Sequence, residues 1–210
     1  SYSSSSNYDY DANDLALQYR GDAFDFTLGV QSFDGERIGA SNLTSKDNTG
    51  WYAQGQYRLG KTTFSAGART ENVDYIYIPT AGAELKADHD LNAWDIGVNH
   101  QLDAHLSLFA NYNRAFQAPD IDRFFYDTDF DWVPDAVNFD ISPALSRTFN
   151  LGLNHVTPTN RLKVTLYRTN LDHEIYLDPI SYKNTNLDKT HKYGLELQDI
   201  WRVSEPFSVN

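Results

Sequence analysis

Residues 149–154 read Phe-Asn-Leu-Gly-Leu-Asn, a strict alternation of apolar and polar side chains. Successive side chains of a β-strand point to opposite faces, so this segment predicts a strand with one apolar and one polar face. The same alternation occurs at 24–31, 94–99 and 193–198. Helical spacing is not sustained over a comparable length anywhere in the chain. The pattern therefore predicts an all-β protein.

Ten segments of this kind follow one another along the chain. Most are about 9–12 residues long, whereas strands of soluble domains are usually nearer 5–6 residues. Tilted strands that cross a bilayer need about 9–11 residues. The predicted strands cover 12–20, 22–32, 50–58, 62–72, 91–101, 105–115, 147–156, 161–172, 190–201 and 206 onward.

The connections between these strands alternate in length. Short turns are predicted near residues 21, 60, 103, 158 and 204, and long polar loops are predicted at 33–49, 73–90, 116–146 and 172–189. All short turns then lie on one side of the sheet and all long loops on the other. This asymmetry is typical of an outer-membrane barrel with periplasmic turns and extracellular loops.

The two faces of the predicted sheet also favour a membrane barrel. The face expected to line the lumen carries charge or amide at Arg58, Arg69, Asn111, Lys163 and Glu196. Aromatic residues near strand ends are placed to form interfacial girdles; they are Trp51, Tyr57, Tyr112, Phe149 and Trp201.

A large soluble β-domain remains an alternative, because its strands also alternate and turn their apolar face inward. In that case one dry protein centre would collect the apolar residues of several strands, namely Phe26, Ile96, Leu151 and Leu195.

The composition excludes several functional classes. The chain has 210 residues, a formal net charge of −12, and neither cysteine nor methionine. An acidic chain lacks the basic surface that nucleic-acid binding needs, and no cysteine means no disulfide, thiol nucleophile or cysteine zinc site. There is no run of 18 apolar residues and no recognised catalytic motif. We therefore expect neither a helical membrane span nor an enzyme.

Two segments resemble TonB-dependent outer-membrane receptors. Residues 111–121 read Asn-Tyr-Asn-Arg-Ala-Phe-Gln-Ala-Pro-Asp-Ile, and Arg114, Phe116, Ala118 and Pro119 match an Arg-x-Phe-Arg-Ala-Pro-like segment of that family. Gln117 stands where the family commonly has arginine. Residues 146–198 resemble the family's late-barrel sequence and end in Gly-Leu-Glu-Leu, which includes Gly194 and Glu196.

The resemblance implies an antiparallel up-and-down transmembrane β-barrel in the outer membrane of a Gram-negative bacterium. Family barrels have roughly 22 strands around a separate plug, so residues 1–210 are expected to form one partial barrel domain of about ten strands, with the plug and the remaining strands absent. The expected partners are outer-membrane lipid and TonB, which would act through the absent plug. An isolated fragment would cover its open barrel edges by self-association.

The family also implies active uptake of a ferric siderophore or similar scarce metal chelate, captured by extracellular loops. Aromatic rings would stack on a planar chelate while carboxylates contact its polar groups. The candidate ligand-binding residues are Tyr126, Asp129, Asp131, Trp132, Asp135 and Tyr182. We expect no cofactor, with iron present only as part of the bound chelate.

No metal-binding motif is present in the sequence. The alternating aspartates at 127–131 lack the glycine and glutamate of an EF-hand loop. Of the six histidines, His89, His173 and His191 are placed at loop edges, where they could converge. The alternatives to a siderophore receptor are a haem or cobalamin receptor, a passive porin, a barrel-embedded enzyme, and a soluble sugar-binding β-domain.

Overall fold

The computed structural model describes residues 6–39, 42–127, 136–204 and 207–209, with side chains up to residue 202. The strands are β1 Asn7–Arg20, β2 Phe24–Ile38, β3 Asn42–Leu59, β4 Thr62–Pro79, β5 Leu85–Gln101, β6 Leu106–Gln117, β7 Phe125–Tyr126, β8 Ala136–Val137, β9 Ala144–Val156, β10 Asn160–Asp172, β11 Ile175–Leu177, β12 Asn184–Asn186, β13 Lys189–Ser204 and β14 Phe207–Val209. A short 3-10 helix covers Ile121–Phe124.

One ten-stranded antiparallel sheet contains all the long strands, in the order β1-β2-β3-β4-β5-β6-β9-β10-β13-β14. Each strand therefore pairs with its neighbour in the up-and-down order, and the ten predicted strands are confirmed. Two small hairpins, β7–β8 and β11–β12, lie in the connections. Within the described residues the barrel is open, with β1 and β14 as its two edges.

The apolar face of the sheet is not buried in a protein core. Three of the four residues that a soluble domain would gather into a dry centre are exposed: Ile96 by 55%, Leu151 by 47% and Leu195 by 62%. The register places Leu151 opposite both Ala110 and Leu166, and Leu166 opposite Leu195, so these residues form a continuous apolar row. The alternative of a soluble domain with a dry centre is therefore contradicted for the described residues, and the barrel prediction is confirmed.

The apolar face has an aromatic border at both ends. Trp51, Phe149 and Tyr193 lie towards the end that carries β7, β8, β11 and β12, which we call the outer end, and they are exposed. Trp201 lies towards the opposite, turn end. We call the apolar surface between these aromatic residues the apolar band.

The prediction of long loops at 33–49 and 73–90 is wrong, because strands cover most of both segments. β2 runs to Ile38 and β3 begins at Asn42, while β4 runs to Pro79 and β5 begins at Leu85. Backbone pairing continues past the apolar band because it does not depend on side-chain polarity. The apolar alternation used for the prediction ends at the edge of the band. The parts of β2 to β5 beyond the band, which we call the outer extensions, therefore could not be recognised from this alternation.

The turn-end connections are short, as predicted. Gly60 adopts a φ of 58° between β3 and β4, a conformation that glycine reaches without strain. Asp103, between β5 and β6, accepts hydrogen bonds from the backbone N–H groups of His105 and Leu106, at 2.8 and 3.0 Å. Across the described ranges, no helix is long and apolar enough to cross a membrane.

Candidate ligand-binding site

The connection between β6 and β9 folds back over the polar face at the outer end of the sheet. Phe124 and Ile141 from this connection are buried against Val73 and Tyr75 of β4 and Leu91 of β5. Residue register places Val73 and Tyr75 on the same face as the polar Arg69, since all three have odd numbers in one strand. A dry cluster therefore anchors the outer loop to the polar face of the barrel wall.

Phe124 is the centre of this cluster. Its ring lies 4.9 Å from Tyr75 in an edge-on arrangement and 4.6 Å from Phe139. The 3-10 helix positions it, and its carbonyl accepts a 2.7 Å hydrogen bond from the N–H of Asn138. The loop thus carries its own hairpin, with Phe125 opposite Val137.

A polar clamp fixes the start of the same loop. The carbonyl of Pro119, which is fully buried, accepts hydrogen bonds from Tyr75 Oη at 2.6 Å and Lys46 Nζ at 3.2 Å. These groups lie in the outer extension, beyond the apolar band. Burial raises the pKa of Tyr75, and the charges of Asp120 and Glu71 add to this. Tyr75 therefore remains a protonated donor.

Asp122 ties the loop to the first two strands. Its carboxylate accepts a 2.9 Å hydrogen bond from Tyr8 Oη and lies 3.3 Å from Arg37 Nε. The Arg37 guanidinium also stacks over the ring of Phe125, 4.0 Å from its centre. The loop between β6 and β9 consequently reaches across the polar face as far as β1.

Among the described residues, four hydrogen bonds join the connection between β10 and β13 to this loop. Asn186 exchanges two of them with the backbone of Ser142, at 2.8 and 2.9 Å. Asn138 donates to the carbonyl of Asn184 at 3.1 Å, and Arg123 donates to its side-chain oxygen at 3.3 Å. The two outer loops therefore form one bound pair.

The pair presents an aromatic and cationic surface. Lys183 Nζ lies 4.0 Å from the centre of the Tyr126 ring, and the adjacent Tyr182 is 47% exposed. The structure thus brings two of the predicted ligand-binding residues, Tyr126 and Tyr182, to neighbouring positions. The other four, Asp129, Asp131, Trp132 and Asp135, lie outside the described residues.

A polar network lines the same face below the loops. Glu71 accepts hydrogen bonds from Arg69 Nε at 2.6 Å and Asn48 at 2.7 Å. Arg69 also donates to Gln31, which in turn donates to Asp14 at 3.0 Å. The sequence marked Arg69 as lumen-facing, but it did not show this network, because Asp14, Gln31 and Asn48 come from three other strands.

Comparison with known proteins identifies the family. A sequence model described as TonB dependent receptor-like, beta-barrel matches residues 1–210. The chain belongs to the TonB-dependent receptor family. No curated protein is similar enough in sequence to count as a relative.

Solved structures of TonB-dependent receptors have the same fold at low sequence identity. The copper transporter OprC matches with a TM-score of 0.79 and 15% identity, covering 96% of this chain and 35% of that one. The ferric yersiniabactin uptake receptor FyuA from Yersinia pestis matches with a TM-score of 0.70 and 15% identity, covering 95% and 33%. The hemophore receptor HasR from Serratia marcescens, solved with its hemophore HasA and heme, matches with a TM-score of 0.71 and 16% identity, covering 94% and 39%. The chain thus spans about a third of the length of these structures.

The family-motif residues have distinct positions in the receptor fold. Phe116 and Ala118 pack against the dry cluster, and Pro119 supplies the clamped carbonyl. Arg114 instead lies on the apolar face, where it hydrogen-bonds Asn92.

The second family segment lies on the wall of the barrel. Gly194 sits beneath the ring of Tyr167, since a Cβ there would come within 2.8 Å of the tyrosine oxygen. Glu196 lies on the same polar face of β13, two residues further along.

The histidines do not form a common site. His89 lies on the polar face, with its ring 6.1 Å from Tyr75, and burial lowers its pKa. His191 lies on the apolar face, its ring parallel to that of Tyr193. The described part of the chain contains no group of three or more histidine, cysteine or acidic residues that could hold a metal ion.

Proposed function

We propose that the chain forms part of an active-transport receptor in the outer membrane of a Gram-negative bacterium. The receptor would take up a ferric siderophore or a similar scarce metal chelate, with energy delivered by TonB through a plug. Family membership supports this proposal, as do structural neighbours named as a copper transporter, a ferric yersiniabactin uptake receptor and a hemophore receptor. The observation that carries it is the pair of joined outer loops over the polar face.

The exposed chemistry of the loop pair suits a chelate. The faces of Tyr126 and Tyr182 offer stacking surfaces for a planar or aromatic metal ligand. Lys183 adds a cation that complements the carboxylate or phenolate oxygens of an iron chelator. Iron would enter only as part of this bound molecule, so the protein needs no cofactor of its own.

The barrel wall supplies the pathway rather than a reaction. Arg69, Glu71 and Gln31 line the polar face below the loops, where a released ligand would pass. Family and neighbours are receptors and transporters rather than enzymes.

Uptake of radiolabelled ferric siderophore by iron-limited cells tests this function. Tyr126→Ala and Lys183→Gln should each raise the half-saturating concentration about 2- to 10-fold, because one ring or charge contact is lost. Tyr57→Ala, at the turn end of the apolar face, is the matched control and should leave uptake unchanged.

The same cells test the alternative ligands and the need for energy. Hemin and cobalamin serve as competitors, and stronger competition by either one would replace the siderophore assignment. Uptake that persists after loss of TonB would refute active transport and favour a passive pore.

A further inference from the structure

Three arginines lie on the apolar face of the sheet at its outer end, Arg168 at the border of the apolar band and Arg114 and Arg147 one same-face position beyond it. Arg114 follows Tyr112 by two positions in β6, and Arg147 precedes Phe149 by two positions in β9. Residues two apart in a strand share a face. Arg168 of β10 lies directly opposite Phe149. We call Arg114, Arg147 and Arg168 the arginine cluster.

The positive charge of this cluster is largely uncompensated. Arg114 and Arg147 occupy directly opposite positions, an arrangement that is destabilising for like charges. Arg147 pairs with Asp172 at 3.0 Å, and this is the one carboxylate at the outer end of that face among the described residues of β6, β9, β10 and β13. Nε of Arg114 is buried without a hydrogen-bond partner.

The rest of the outer end has the opposite charge. Directly opposite positions of β1 to β5 carry an unbroken row of aspartates, namely Asp11, Asp34, Asp47, Asp74 and Asp88. Lys86 is the one lysine or arginine on that face among the described residues of these five strands. The arginine cluster is therefore a local feature of an acidic protein and not part of a generally basic rim.

An apolar groove lies directly below the cluster. Its volume is about 440 Å³, and its walls include Phe64, Ile96, Val98, Tyr112 and Phe149. Tyr112 and Phe149 are the residues that neighbour Arg114 and Arg147 on the same face. The arginine cluster therefore adjoins the apolar groove on the outside of the sheet, through Tyr112 and Phe149.

We propose that the arginine cluster and this groove bind an anionic lipid, with its phosphate headgroup on the arginines and an acyl chain in the groove. Guanidinium groups bind phosphate through paired, charge-assisted hydrogen bonds. Headgroup phosphates lie at the height where the apolar band ends, and acyl chains lie beside the band itself. This inference rests on the proposed placement of the protein in the outer membrane.

The test is lipid titration of the full-length protein, as the cell produces it, in neutral detergent, followed by native mass spectrometry. Diphosphorylated lipid A and phosphatidylglycerol are the phosphate-bearing probes, and dephosphorylated lipid A and phosphatidylcholine are the comparison lipids. The triple variant R114Q/R147Q/R168Q should bind the phosphate-bearing probes at least about tenfold more weakly, with no change for the comparison lipids.

Arg161→Gln is the matched control. Arg161 lies in the same strand as Arg168, seven residues away and on the polar face, so its loss should not affect lipid binding. Far-UV circular dichroism and the gel shift between unheated and heated protein establish that each variant is folded.

Several outcomes would overturn the assignment. If the folded triple variant binds lipid A as tightly as the unaltered protein, the arginines do not bind the lipid. The same conclusion follows if the unaltered protein binds dephosphorylated lipid A as tightly as diphosphorylated lipid A. Complete displacement of the lipid by equimolar inorganic phosphate would show that the groove does not contribute to lipid binding. Siderophore uptake by the triple variant is expected to be normal, so failure of the proposed transport function and failure of lipid binding would be seen in separate assays.

Discussion

A single arginine at the centre of the apolar band should destabilise the protein strongly. Leu197 of β13 lies on the apolar face and is 67% exposed. It is four residues from both Tyr193 and Trp201, which border the band. At about 3.3 Å per residue and a tilt of about 40°, it lies about 10 Å from each border. Leu197→Arg should therefore lower the free energy of unfolding by about 2–4 kcal/mol, the cost of arginine near the bilayer midplane.

Glu196→Arg gives the matched control for this prediction. Glu196 is at the same height on the opposite, polar face, and its direct cross-strand partner is Thr165. The new arginine would remain in contact with water, so the change in stability should stay below about 1 kcal/mol.

Urea titration of the full-length protein folded in lipid vesicles measures both variants, with tryptophan fluorescence as the signal. A loss of 2 kcal/mol corresponds to about a thirtyfold fall in the ratio of folded to unfolded protein. Equal effects of the two substitutions, or a larger effect of Glu196→Arg, would refute the assignment of the apolar face to lipid.

The outer extension and a turn give three further predictions. Tyr75→Phe removes one of two donors to the Pro119 carbonyl and should weaken loop closure by about 1 kcal/mol, seen as faster hydrogen exchange at 120–126. Burial and the charges of Asp34 and Asp74 raise the pKa of Asp47, so Asp47→Asn should raise the melting temperature at pH 7, with the gain disappearing as the pH falls below 3.8, the ordinary value for this group. Hydrogen bonds from two backbone N–H groups lower the pKa of Asp103, so Asp103→Ala should reduce the melting temperature at pH 7 and lose its effect as the pH falls below 3.8.

Each of these predictions has a defined contrary result. Tyr19→Phe, on the apolar face, is the control for Tyr75→Phe and should leave hydrogen exchange in the outer loop unchanged. Equal acceleration of exchange in both variants would show that the bond from Tyr75 to Pro119 does not hold the loop. The two aspartate variants are expected to act with opposite signs at neutral pH. The same sign in both would contradict the electrostatic origin assigned to at least one of them.

The nine long strands of the main sheet and their two faces could be predicted from the sequence, because apolar side chains recur every second residue on the face that is turned to lipid. The outer extensions could not be predicted in the same way. Residues such as Asp34 and Asp74 sit on the outward face beyond the band, where the environment no longer selects apolar side chains. The strand continues there through backbone pairing alone.

The dry cluster under the outer loop was also not predictable. Phe124 stands in an acidic, aromatic segment that gives no periodic signal, and its partner Tyr75 is 49 positions away in the chain. One signal was nevertheless available for the arginine cluster. Arg114 has the same parity as Leu108 and Tyr112 within β6, so strand alternation alone places it on the apolar face.

The four hydrogen bonds between the two outer loops have a mechanical consequence. Asn184 and Asn186 are hydrogen-bonded to the neighbouring loop through their side chains and backbone. One loop can therefore move away from the other only if these bonds break. Movement of either loop away from the sheet would then be coupled to movement of the other. An antibody that immobilises either loop would therefore immobilise both, without having to contact Tyr126 or Tyr182.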